Sequence, residues 1–317
     1  MMERTSRPKE TQAPLAVVTG AFGFSGRFIA RRFLAQGWRV RTLTNAPWKA
    51  RGLGDWTRQV EVHPLAFHDL ARLEKSLRGA RVLVNTYWVR FRHRAFTFEQ
   101  AVQNSARLFE AARRAGVPRV VHISITNPDE RSPLPYFRGK ALVERLLQAT
   151  GLSYAILRPA VLFGPGDILI NNIAWAFRRF PFFGLFGEGE YPIRPIFVED
   201  LAALAVRFAT ASENVILDAV GPEHFTYRTL VQTLGAAIGC PRPLVPMPPR
   251  VAWLAVALLG KMLGDVLLTW EEVQGLMMGL LGSAAPDAGW TRLSLWAREH
   301  GETLGQRYAH ELKRRLG

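Results

Sequence analysis

The stretch "VVTGAFGFSGRFIA", Val17 to Ala30, places Gly20, Gly23 and Gly26 at three-residue intervals between an apolar run and a segment with helical spacing. Each glycine has its own physical use: a tight turn, close approach of backbone to a pyrophosphate, and close packing of helix on strand. The amide groups and dipole at the start of the helix then face the anion. In a strand-turn-helix setting this predicts a nucleotide-binding turn; tight packing alone is the competing reading. Phe22 and Phe24 sit within the same turn.

Outward from the turn, apolar runs alternate with helical patterns. "LAVVT" (Leu15 to Thr19), "RVRTLT" (Arg39 to Thr44), "VEVHPLA" (Val60 to Ala66), "RVLVNT" (Arg81 to Thr86), "RVVHIS" (Arg119 to Ser124) and "SYAILRP" (Ser153 to Pro159) predict strands. Helical spacing predicts helices over Arg27 to Gln36, Leu70 to Leu77, Phe98 to Ala115 and Phe137 to Ala149, with Gly37, Gly79, Gly116 and Gly151 placed to end them. Short strands of Val, Ile and Leu that return through helices imply an α/β doubly wound parallel sheet of the Rossmann kind. Its ligands bind beyond the carboxyl ends of the strands.

Residues 14–165 read as this nucleotide-binding domain, completed by 192–220, where "IRPIFVEDLAALAVRFA" reads as one more strand and helix of the sheet. Residues 166–191 and 221–317 read as a smaller, mostly helical C-terminal lobe, and 1–13 as a disordered polar tail without a secretory core. The aromatic segment Trp175 to Phe186 suits either a substrate wall or a packing surface between lobes.

With 48% hydrophobic and 21% charged residues, the 317-residue chain is neither a disordered nor an integral membrane protein. Its longest apolar region, Val251 to Leu268, is interrupted by Lys261 and Asp265, short of the ~20 residues that span a bilayer. A buried helix or a homodimer contact is favoured there over peripheral membrane contact. The net charge of +15 suits anionic partners such as nucleotides, nucleic acid or acidic lipid, but the basic residues are dispersed. One cysteine, Cys240, rules out an intrachain disulfide, so a cytoplasmic location is the expectation. His63 and His68 flank Pro64 without metal-ligand spacing, and no metal is expected.

Tyr136 and Lys140 stand four residues apart at the start of a helix, on one face. A lysine beside a tyrosine favours the phenolate, drawing a pKa of ~10 towards the working range of a general acid/base. At the end of the second strand, "TLTN" offers Thr44 and Asn45 where a carboxylate would bind the ribose of NAD. With Arg41, Lys49 and Arg51 nearby, NADP(H) is favoured over NAD(H). Arg90, Arg92, His93 and Arg94 form a basic loop after the fourth strand, either a solvated surface or an attractor of an anionic substrate.

"TGAFGFSGR", "HDL", "PYFRGKALVE", "ILRPAVLFGPGD" and "RPIFVEDLA" together resemble the short-chain dehydrogenase/reductase superfamily. The likeness is to its extended and atypical branches, epimerase/dehydratase-like proteins similar to the complex I accessory-subunit family. The resemblance implies a nicotinamide dinucleotide with Asp69 and Leu70 flanking the adenine, and Asn85 and Thr86 along the nicotinamide half. Pro159, which ends the sixth strand within the motif, is a further cofactor candidate. It also implies Tyr136 as the proton carrier and Lys140 on the nicotinamide ribose. Either Thr126, which is favoured, or Ser124 would orient the substrate oxygen; Asn104 would order its helix. The implied activity is hydride transfer on an unidentified small-molecule substrate, anionic or apolar. A nucleotide-holding scaffold or redox sensor, and an RNA-binding member, are the alternatives.

Overall fold

The computed structural model describes residues 13–92 and 96–316. His93 and Arg94 of the basic loop, and residues 1–12 of the expected tail, lie outside the described residues. The first part of the chain runs β1 (Leu15–Thr19), α1 (Phe24–Ala35), β2 (Arg39–Leu43), β3 (Val60–His63), α2 (Leu70–Leu77), β4 (Ala80–Asn85), α3 (Phe98–Arg114), β5 (Arg119–Ile123), α4 (Pro135–Ala149) and β6 (Ser153–Pro159). It continues through β7 (Val161–Phe163), α5 (Leu169–Arg179), β8 (Phe183–Phe186), β9 (Pro192–Ile193), β10 (Pro195–Phe197), α6 (Val198–Ala209) and β11 (Val215–Ala219). After these come β12 (Phe225–Thr226), α7 (Tyr227–Ala237), β13 (Leu244–Met247), α8 (Pro249–Leu263), α9 (Trp270–Met277), α10 (Leu293–Glu299) and α11 (Glu311–Leu316).

Seven parallel strands form the main sheet in the order β11-β6-β5-β4-β1-β2-β3. The period of two divides the strand side chains between two cores. Ala16 and Val18 pack with Ile29 and Phe33 of α1 and with Leu201 of α6. Leu15 and Val17 pack instead with Leu73 of α2, Leu108 of α3 and Val143 of α4. Strand order reverses between β1 and β4, the crevice where such sheets hold ligands. Gly37, Gly79, Gly116 and Gly151 all have positive φ just past their helices. Two helices start earlier than the spacing suggests, because Gly23 caps α1 and Pro135 presets the first turn of α4.

The strand read from "RPIF" departs from expectation. It does not join the main sheet but pairs with β7, and β11 supplies the seventh strand. Pro192 and Pro195 have no amide to donate, which suits short edge pairings and not a central ladder. The same motif is instead a staple. The buried Arg194 guanidinium donates to the carbonyl oxygens of Ala285 (2.6 Å) and Gly221 (2.7 Å) and to the Asp287 carboxylate (2.6 Å). The Asp200 carboxylate accepts from the amides of Trp290 (2.8 Å) and Thr291 (2.7 Å). Together they pin the returning chain, 285–291, against the sheet end. A third core, around Phe163, Phe177, Leu230 and Trp296, joins β7 and α5 to the C-terminal helices. Among the described residues no helix is long and apolar enough to cross a membrane.

Candidate functional site

Beyond β1, Gly20 takes φ +69° and its carbonyl accepts from the amide of Gly23 (2.8 Å), closing a tight turn. A Cβ on Gly26 would lie 2.2 Å from that same carbonyl oxygen, so the helix start sits directly on the turn. No side chain caps α1, which leaves the first-turn amides for an anion. The floor of the crevice is built from hydroxyls and amides. Thr19 Oγ1 accepts from the amides of Thr86 (2.8 Å) and Tyr87 (3.1 Å) and donates to Asn85 Oδ1 (3.1 Å). The Thr86 hydroxyl donates to the Thr19 carbonyl, and Ala21 N–H donates to Thr42 Oγ1 (3.0 Å). Thus Asn85 and Thr86 brace the strand ends beside Gly20. An uncapped helix start on a cradle that a Cβ would fill fits a dinucleotide pyrophosphate.

Across the crevice, the Tyr136 ring meets Trp88 edge-on (centroids 5.9 Å) and Phe98 edge-on (5.8 Å). One turn along α4, Lys140 is only 3% exposed. Its Nζ donates to the Ile123 carbonyl (2.8 Å) and lies 4.8 Å from the centroid of the Trp88 ring. Burial lowers the Lys140 ammonium from 10.5 to about 7, with Glu144 opposing the shift. Gly139 makes room for this cover, since a Cβ there would meet Cη2 of Trp88 at 2.9 Å. The indole Nε1 of Trp88 is buried without a hydrogen-bond partner. Below it, His122 is buried beside Asn85 (3.2 Å), and burial, with Lys140 nearby, keeps its imidazole neutral.

The turn and the tyrosine open onto one cavity of about 1160 Å³. It is lined by Phe22, Gly23 and Phe24 of the turn, by Trp88 and Tyr136, and by Phe180, Phe182, Phe183 and Phe186 with residues of α8 and α9. The aromatic segment from Trp175 to Phe186 is therefore a cavity wall. Charged residues also reach this space: Arg27, Lys49, Arg90 and Asp167, with Glu271 and Glu272 of α9 and Glu311, Lys313 and Arg314 of α11. Burial raises the Asp167 carboxyl to about 7 while it accepts the Ile170 amide (2.8 Å) at the start of α5.

Residues 16–219 match the model of the NAD dependent epimerase/dehydratase family. The chain belongs to that family. A mitochondrial NADH dehydrogenase [ubiquinone] 1 alpha subcomplex subunit 9 of Arabidopsis thaliana is 26% identical over 69% of this chain and 57% of its own length. The chain thus spans less than two thirds of that relative. A ceramide reductase of Caulobacter vibrioides is 26% identical over 74% of each chain. The fold is shared with an NADPH-dependent quinone oxidoreductase of Escherichia coli solved with NADPH, at TM-score 0.72, 20% identity, and 90% and 99% coverage. As an epimerase/dehydratase family member, the protein is built to hold a nicotinamide dinucleotide.

Several residues chosen from sequence do other work in this epimerase/dehydratase fold. Arg41 lies in mid-strand, and its guanidinium binds the Glu61 carboxylate (2.8 and 2.9 Å) and the Ser76 carbonyl (2.9 Å), so it braces β2 against β3 and α2 and does not face the turn. Both amide atoms of Asn45 are bonded to the Leu65 backbone (2.9 and 3.0 Å), and Thr44 accepts the Ala46 amide (3.0 Å). The Asp69 carboxylate caps α2 through the Arg72 amide (2.9 Å), and Leu70 packs on the core. Lys49 lines the cavity with the turn.

Both candidate hydroxyls are buried and committed. Ser124 donates to the Glu144 carboxylate, itself paired with Arg158, and Thr126 donates to the Leu280 carbonyl (2.9 Å). The Pro159 carbonyl accepts from the Thr126 amide (3.1 Å). Asn104 donates to the Tyr87 hydroxyl (2.9 Å) and so orders α3. Arg90 lines the cavity while pairing with Glu272 (2.6 Å) and donating to the Leu267 carbonyl (2.8 Å), and Arg92 pairs with Glu99 (2.6 Å). Trp88 is the residue sequence reasoning missed. It stands beside the arginines of "YWVRFRHRAF", and its signal was an aromatic three residues past a strand end at the switch point. Among the described residues no cluster of His, Cys, Asp or Glu could hold a metal.

Proposed function

We propose that the protein is an NAD(P)(H)-dependent oxidoreductase acting on a small molecule with a large apolar part, with Tyr136 as its proton carrier. The observation that carries this reading is the shared cavity: the uncapped start of α1 and the Tyr136 ring line one space with an aromatic wall. Bound there, the nicotinamide supplies or accepts the hydride. In the reducing direction Tyr136 gives its phenolic proton to the carbonyl oxygen as the carbon is reduced, and the phenolate regains a proton from water in the cavity. The apolar wall orients the substrate and excludes bulk water around the reacting carbon. Lys49 in the cavity and the missing carboxylate after β2 support NADP(H) over NAD(H). The ceramide reductase relative supports a long-chain substrate.

Absorbance at the reduced-nicotinamide band, with long-chain and short-chain carbonyl compounds, tests the proposal. Turnover that rises with chain length supports it. A second reading, a nucleotide-holding scaffold, draws on the cover of Trp88 over Lys140 and on the committed Ser124 and Thr126. Tight nucleotide binding with no turnover on any carbonyl class would favour the scaffold.

A further inference from the structure

The helix α8 carries two apolar faces, and only one is covered. Ala252, Val256 and Leu259 line the cavity. On the adjoining face Val251, Leu254, Leu258 and Met262 are 50%, 58%, 62% and 77% exposed. Their spacing of three, four and four residues places them on one stripe. β13 pairs with β8, and the Phe183 amide donates to the Pro243 carbonyl (2.9 Å), which ties the segment carrying the exposed Phe180 and Phe182 to the strand that leads into α8. Phe180, Phe182 and Ala255 are at once exposed and cavity-lining, so the cavity opens through this patch.

Charge decides what covers it. Residues 168–187 and 224–264 contain no Asp or Glu, and Arg179, Arg242, Arg250 and Lys261 are exposed around the patch. The nearby Glu188 and Glu190 are both paired with Arg228. A second copy of the chain would set these cations against their own kind, whereas an anionic bilayer complements them. With 15 residues, α8 is shorter than the ~20 needed to span, and suits lying in the headgroup region. We infer that the outer face of α8, with Phe180 and Phe182, docks the protein on an anionic lipid surface and sets the cavity mouth against it. Entry of a substrate from the bilayer rests on the oxidoreductase reading; docking itself does not.

Flotation with vesicles of phosphatidylcholine alone, and of phosphatidylcholine and phosphatidylglycerol in equal parts, tests the docking on the full chain. The protein should float with the anionic vesicles, less so at high salt. Leu258→Glu with Met262→Glu should cut the partition about ten-fold. Arg250→Glu with Lys261→Glu should cut it about five-fold or more. All four side chains lie outside the cavity, so unchanged melting and nucleotide binding would report intact folding. No flotation of the wild type, equal flotation of the variants, or a dimer that the Leu258 and Met262 changes dissociate without any vesicle binding would each overturn the inference. Vesicle binding with no carbonyl turnover in any medium would leave docking standing and refute the oxidoreductase reading.

Discussion

At the β1 end of the cleft, position is set by backbone: Gly20 holds a positive φ, Gly23 bonds to its carbonyl, and Gly26 lies against the same carbonyl. Around α4, position is set by side chains: Trp88 rests on Gly139, covers Lys140 and meets the Tyr136 ring edge-on. Backbone constraints permit very few residue types, whereas a side-chain arrangement can be reached by many combinations. One end therefore tolerates almost no change, and the other is adjustable.

The largest expected effect falls at the adjustable end. Tyr136→Phe keeps the ring that packs on Trp88 and Phe98 and removes only the hydroxyl. Turnover should fall about 100- to 10,000-fold while nucleotide affinity, read by fluorescence titration, stays at the wild-type value. Unchanged turnover would show that the proton comes from another group.

A pair of glycine substitutions tests the contrast directly. Gly26→Ala sets a methyl 2.2 Å from a backbone oxygen that cannot move without opening the turn. A loss of about 1–3 kcal/mol in denaturant stability, with loss of nucleotide binding, should follow. Gly139→Ala meets side chains and no backbone, the Trp88 ring at 2.9 and 3.2 Å and Val102 at 3.6 Å, and gains helix propensity of about 1 kcal/mol. Its stability should stay close to wild type. Equal losses in the two variants would remove the distinction between the two ends.

Titration separates them further. Burial places the Lys140 ammonium at about 7 in the folded chain, against 10.5 when unperturbed. Below the lower value both folded and unfolded chains carry the proton, and the full cost of burying the charge is present. Between the two values only the unfolded chain binds it, so stability rises with pH across that window and then levels off. Lys140→Met should flatten this rise in urea melts taken across the window. An identical slope in wild type and variant would mean that the ammonium is well solvated.

What was legible in the sequence follows the same division. The sheet, its helices and the glycine turn could be read because hydrophobic period and glycine placement dictate backbone directly. Placing the "RPIF" strand in the sheet failed because apolar content was weighed above the missing amide of Pro195, which ends up in a two-stranded pairing of three residues with β7. The partners of Arg41 were hidden for a related reason. Its partner Glu61 stands on the neighbouring strand, in direct register, and only the pairing of β2 with β3 brings them together. The commitment of Ser124 to Glu144 and the roof of Trp88 over Lys140 depend equally on tertiary neighbours.

The smallest effect concerns which dinucleotide is held. Lys49 lines the cavity alongside Phe22, Gly23 and Phe24, whereas Arg41 is spent on Glu61 and two carbonyls beyond the sheet edge. A cation in contact with the 2′-phosphate contributes about 1 kcal/mol or less when solvent reaches it, a factor of about five in affinity. Lys49→Ala should therefore lower the ratio of NADPH to NADH affinity by up to about five-fold. Arg41→Ala should do the reverse, losing about 1 kcal/mol of stability with its hydrogen bonds while the ratio holds. If Arg41→Ala shifted the ratio and Lys49→Ala did not, the mid-strand arginine would have to leave Glu61 for the cofactor, and the rigid end of the cleft would be less rigid than its backbone implies.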